Sequence, residues 1–188
     1  GLLEGGIGGP SIRPPIPPGV VDVGYANQVK WPESEGPDKY RRGLYIFFQR
    51  TVAYPMLMTF DCPDSNVSMV ARNRSNTPLQ SLTLLNDPVF VEAAQALGQR
   101  LLQFGESEPD QRVRQAFKLC MGREASEGEV GHLVDLLAEL ETEFAQAPEE
   151  ARVLVGDYLT DEVAVETAAA HMVLARAIMN LDEFVTRE

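Results

Sequence analysis

Seven polar side chains gather between two proline-rich breaks: Asp61, Asp64, Arg72, Arg74, Asn76, Asn86 and Asp87. Two carboxylates three positions apart in a loop could act as an acid/base pair, or bind calcium with backbone oxygens. Loops held between helix ends are common places for such chemistry. The same residues also have a plainer use. Asp61 and Asp64 can pair with Arg72 and Arg74, while Asn76 and Asp87 cap helices. The plainer use is preferred, because no catalytic motif accompanies the cluster.

The other reactive side chains point the same way. His132 and His171 are the only histidines, and neither has a second His or Cys at ligand spacing. Both read as helix-surface or core-edge residues. Cys62 and Cys120 lie in no C-x-x-C or C-x-x-C-H pattern, so neither a zinc ribbon nor covalent haem attachment is signalled, and free thiols are expected. No G-x-S-x-G elbow is present. Gly5-Gly6-Ile7-Gly8-Gly9 runs into proline rather than a helix, which argues against a phosphate cradle. Trp31, Tyr25 and Tyr54 could stack on sugars. A second polar cluster, Asn180, Asp182, Glu183, Arg187 and Glu188, is expected to finish the last helix and pin the chain end, against Arg41 or Arg42.

The elements that would position these residues follow from spacing and punctuation. Residues 1–37 hold seven of the thirteen prolines and eight of the fifteen glycines. Proline lacks the amide proton, so this arm is extended, with a short strand around Val20–Tyr25, and packs on the body. Tyr40, Leu44, Phe47 and Phe48 recur at helical spacing, which predicts a helix over 38–52 begun by Asp38. Pro55 and Pro63 leave at most one helical turn between them. Thr77-Pro78 and Asp87-Pro88 are cap-then-proline starts for helices to about 85 and 104. A helix over about 108–121 starts at Ser107 or Glu108 and closes on Gly122. Ser126 and Glu129 make a capping box for the next helix. A last helix is expected over 161–180, capped by Thr160 or Asp161.

The fold class is therefore mainly α: an irregular bundle of about five to six helices with an extended Pro/Gly-rich N-terminal arm. The division is 1–37 for the arm and 38–188 for the helical domain. The net charge of −12 is uneven, with nine acidic and nine basic side chains in 1–103, but nineteen and seven in 104–188. Such a surface repels nucleic acid. No apolar run approaches the ~20 residues that cross a bilayer.

Several runs agree in order with one known family. They are Gly8-Gly9-Pro10-Ser11, Tyr40-Arg41-Arg42-Gly43-Leu44-Tyr45, Pro55 to Asp64, Arg74 to Leu82, Leu84 to Pro88, and Asn180 to Glu188. From about residue 8 to the end, the chain resembles the C-terminal, planctomycete-specific PSD domain of unknown function of a cytochrome-associated family. Gly43 stands where a serine is usual and Ser75 where a threonine is usual. The resemblance implies a C-terminal fragment of a large periplasmic or extracellular protein. It implies no cofactor in this chain, but haem c in an upstream domain. The implied partners are the upstream domains, an envelope protein or a polysaccharide. No catalytic residue comes with it. A scaffold or docking role is favoured over part of an envelope enzyme or binding protein acting on polysaccharides.

Overall fold

Proline sets most of the helix starts. Five of the eight α-helices among the described residues begin on one: α1 (Pro55–Thr59), α2 (Pro78–Asn86), α3 (Pro88–Leu102), α4 (Pro109–Met121) and α6 (Pro148–Val155). At the first helical position the missing amide leaves no bond unmade, and φ is already helical. The other three are α5 (Glu127–Gln146), α7 (Val165–Met179) and α8 (Asp182–Val185). The computed structural model describes residues 2–16, 31–49, 53–63, 68–71, 73–104 and 108–186. The chain is mainly helical, a bundle in which six helices have eight residues or more. It divides into two compact units, Leu2–Gln80 and Ser81–Glu188.

In the first unit the arm is extended and pairs with residues 40–47. Ile12 donates to the Tyr45 carbonyl at 2.8 Å and accepts from Phe47 N–H at 2.7 Å. Parallel bridges join Glu4 to Arg41 and Ile12 to Ile46. Arg41 lies 3.8 Å over the Tyr45 ring and donates to the carbonyls of Gly6, Gly8 and Pro10. Trp31 stacks on Tyr54 at 5.9 Å, meets Phe47 edge-on, and donates to the Pro14 carbonyl at 2.8 Å.

The helix expected over 38–52 is not formed. Gly36–Tyr40 and Gly43–Tyr45 are single 3-10 turns, and residues 46–49 carry no helix. The arm takes the backbone groups that a helix would have used. Phe47 packs on Trp31, whereas Leu44, expected in the buried stripe, is 85% exposed. Residues 50–52 and the expected strand at Val20–Tyr25 lie outside the described residues.

The second unit is built around α7, which packs on α3, α5 and α6. One apolar core joins Leu101, Val113, Phe117, Leu137, Leu174 and Ile178. A second joins Ala151, Val155, Ala168, Ala169 and Met172. Gly122, at φ +77°, closes α4 in the left-handed region. Glu108 stands at the N-cap of α4 without a side-chain bond, and Ser107 lies outside the described residues. The Ser126–Glu129 box opens α5 with both reciprocal bonds.

Two boundaries differ from expectation. α7 starts at Val165 behind Ala164, not at 161; Val163, ahead of the helix, packs against the second core in non-helical backbone. α3 stops at Leu102, and Phe104 is exposed. The structure also adds α6. Its signals, Pro148 at the first position and Glu149-Glu150 in the first turn, stand in the sequence.

Candidate functional site

Asp61 is the one residue of the polar cluster with an unusual backbone. Among the described residues it alone has a positive φ without being glycine, at 58°. Asp tolerates the left-handed region better than bulky residues do, and here it ends α1. The reversal lets Cys62 N–H reach the Leu57 carbonyl at 2.9 Å. It also aims the carboxylate at residues fourteen and nineteen positions on.

One carboxylate oxygen, Oδ2, accepts from Ser75 N–H at 2.8 Å and Ser75 Oγ at 2.7 Å. Gln80 supplies a third, longer bond at 3.5 Å. The Gln80 amide is buried and its donors and acceptor are engaged. Nε2 donates to the Thr59 carbonyl at 2.9 Å and to Ser75 Oγ at 3.1 Å, and Oε1 accepts from Thr77 N–H at 2.8 Å. Thr77 Oγ1 accepts in turn from Gln80 N–H at 3.3 Å. Thr77-x-x-Gln80 is thus a capping box for α2, fused to an aspartate brace that ties the end of α1 to its start. This arrangement holds a loop. Ser75 Oγ is held between an acceptor and a donor, and no histidine adjoins it in this network.

Asp64 and Arg72 lie outside the described residues. Arg74 and Asn76 are exposed. In the second unit, Asn86 Nδ2 donates to the Leu82 carbonyl at 2.8 Å near the end of α2. Asp87 caps α3 by accepting from Val89 N–H at 2.9 Å, the use expected of it. Gln80 lies outside the polar cluster read from the sequence, although the Thr-x-x-Gln spacing marks it. Replacing Gln80 with Ala leaves the Thr59 carbonyl and Asp61 under-satisfied at a buried place. A loss of about 1–3 kcal/mol is expected, read as faster amide exchange over residues 55–80.

His132 is exposed, whereas His171 is fully buried, deeper than the helix-surface or core-edge place expected. Cys62 and Cys120 are not joined in a disulfide, and burial pushes the Cys120 thiol up to about 11. Such a thiol is protonated and inert at neutral pH. Trp31 and Tyr54 are buried against the arm, which removes them as a sugar-stacking surface. Among the described residues, no group of three or more His, Cys, Asp or Glu could hold a metal ion. No described helix is long and apolar enough to cross a membrane.

Within the C-terminal polar cluster, Glu183 is held by Arg123 of the same unit. Arg41 is occupied by the arm. Arg123 donates to both oxygens of Glu183 at 2.6 and 2.7 Å, and to both oxygens of Glu129 at 2.8 and 3.1 Å. Its planar fork suits two carboxylates as an ammonium would not. Arg123, then the backbone and hydroxyl of Ser126, hold the Glu129 carboxyl down at about 2, and Arg123 lowers Glu183 as well. Carboxyls depressed in the fold contribute stability above their unfolded pKa that is lost as pH falls through the folded value. The contribution of this trio should therefore fade between about pH 4.5 and pH 2. Arg123→Gln should flatten acid unfolding curves in that window. It should also weaken their salt dependence, because these side chains are solvent-exposed. Arg187 and Glu188 lie outside the described residues.

Fold and site together define a helical domain whose polar residues fasten loops and helix ends. The family model of PSD1, a protein of unknown function (DUF1553), matches residues 1–137. The chain belongs to that family. The match ends inside α5, so the Asn180–Glu188 run lies beyond it. No curated protein and no solved structure matches the chain.

Proposed function

We propose that this chain is a non-catalytic helical docking module of a larger cell-envelope protein, where it positions neighbouring domains beside a c-type cytochrome. The reading is supported by how the polar cluster is used. The carboxylate best placed to be an acid or base, Asp61, is spent on Ser75 and Gln80. In this reading the haem belongs to an upstream domain, and the polypeptide works in the periplasm or outside the cell. Its first partners are the upstream domains of the same polypeptide, and a further envelope protein can dock on the assembly.

The fold itself carries no chemistry, so the proposal rests on the residues and on the family resemblance. The competing reading, part of an enzyme or binding protein for polysaccharides, would need free acids and exposed aromatics. The test is to express the upstream part of the polypeptide separately and pass it over this chain immobilised. Co-retention is expected. No retention, together with turnover of sulfated or plain glycans by this chain, would end the docking proposal in favour of the enzyme.

A further inference from the structure

The helix that organises the second unit carries an imidazole where a charge cannot be accommodated. α7 packs against α3, α4, α5, α6 and α8, and His171 sits fully buried in it. Its Nδ1 lies 2.8 Å from the Thr167 carbonyl one turn back, so Nδ1 carries the proton and donates. Nε2 is also buried, and no protein group bonds to it. A neutral ring leaves only a lone pair there. A protonated ring would leave a cationic N–H without an acceptor in the core.

The surroundings offer no relief. Apart from the Cys120 thiol on α4, the buried residues of α3, α4, α5 and α6 are apolar, and α8 buries none. The charged side chain acting on His171 is Arg112 of α4, which has the wrong sign. Nor can α3 close further on α7. At Gly98, beside the neighbouring Met172, α3 and α7 already meet backbone against backbone.

From this placement we propose that His171 is an acid-sensitive latch: the closed bundle accepts only its neutral form, and protonation frees α7 from the helices around it. The energetics agree in direction. Burial lowers the imidazole's pKa, the Thr167 bond opposes this, and Arg112 lowers it again. A histidine lowered in the fold contributes stability that is complete above its unfolded pKa of about 6.5, and loses it as pH falls toward the folded value. Glu129 and Glu183 are lowered too, so they stay ionised through this window and do not confound it.

The test is thermal unfolding of the whole chain at pH 7.5 and pH 5.0, for the wild type, His171→Gln and His132→Gln. The wild type and His132→Gln should each lose at least about 3 °C on acidification, and His171→Gln less than half of that. If His171→Gln does not fold, an NMR titration of the wild-type imidazoles decides. The His171 signals should then hold their neutral position until the fold opens. Equal losses in both variants, or a His171 that titrates inside an intact fold, would overturn the latch.

Discussion

A chain cut after Leu137 should fail to fold its second unit, although it retains everything the family model matches. The cut falls within α5 and removes α6, α7 and α8. What is lost is not a peripheral extension. Met172, Leu174, Ile178 and Met179 are buried, and Leu174, Ile178 and Met179 share a core with Leu101, Val113 and Phe117 of the retained part. Fully burying one such side chain is worth roughly 1.5–3 kcal/mol, so the four represent roughly 6–12 kcal/mol. Net stabilities of whole domains are only about 5–15 kcal/mol. The short helices left behind, without an apolar partner, are marginal in water. Circular dichroism of residues 1–137 should show much less helix than the matching part of the full chain, with no cooperative melting of the second unit. A sharp, wild-type-like transition would mean that α7 has been given too large a part in the core. The second unit therefore continues through α7, beyond the end of the matched region.

What the sequence discloses about this arrangement depends on how local the cause is. Thr77-Pro78, Asp87-Pro88, Gly122 and the Ser126–Glu129 pair act within four residues of themselves, and each marks a helix end where expected. α6 has an equally local signature in Pro148 and Glu149, but its eight residues are too few for apolar periodicity to stand out. The stretch from 38 fails for the opposite reason. Its aromatic spacing satisfies the helical template, yet the partner that decides its backbone is Ile12, thirty-odd positions away and invisible in any window. The polar residues follow the same rule. Asp87 is legible as a cap because its bond spans two residues, whereas Arg123 and Glu183 are 60 apart. Asp61 stands out as a candidate in the sequence, but Ser75 and Gln80, which determine its role, are reached only through the turn at the end of α1. The resemblance read from the motifs agrees with the matched family, whose function is unknown.

Two glycines inside helices should respond to the same substitution with opposite signs. In a helix interior, alanine is better than glycine by about 0.8–1 kcal/mol, because glycine loses more backbone entropy on folding. Gly131 in α5 has open space where a Cβ would stand, so Gly131→Ala should gain most of that amount. Gly98 in α3 is buried, and a Cβ there would lie 2.9 Å from Met172 N, 2.9 Å from its Cγ and 3.0 Å from its Cα. The Cγ could swing aside, but the backbone atoms belong to α7, held on its other sides by α5 and α6. Relief requires α3 and α7 to separate along their length, which opens the contacts of Ala94 and Leu101 with the α7 residues of the same core. Overpacking of this kind costs about 1–3 kcal/mol, enough to cancel the propensity gain and reverse it. Gly98→Val adds two further methyl groups against the same backbone and should cost more than Gly98→Ala. Urea unfolding of the three variants separates the effects: Gly131→Ala should move the midpoint up, Gly98→Ala down and Gly98→Val further down. If Gly98→Ala proved as stable as the wild type, α3 and α7 could not be in backbone contact at this level. The tight placement of α7 that underlies both the truncation effect and the buried His171 would then fall with it.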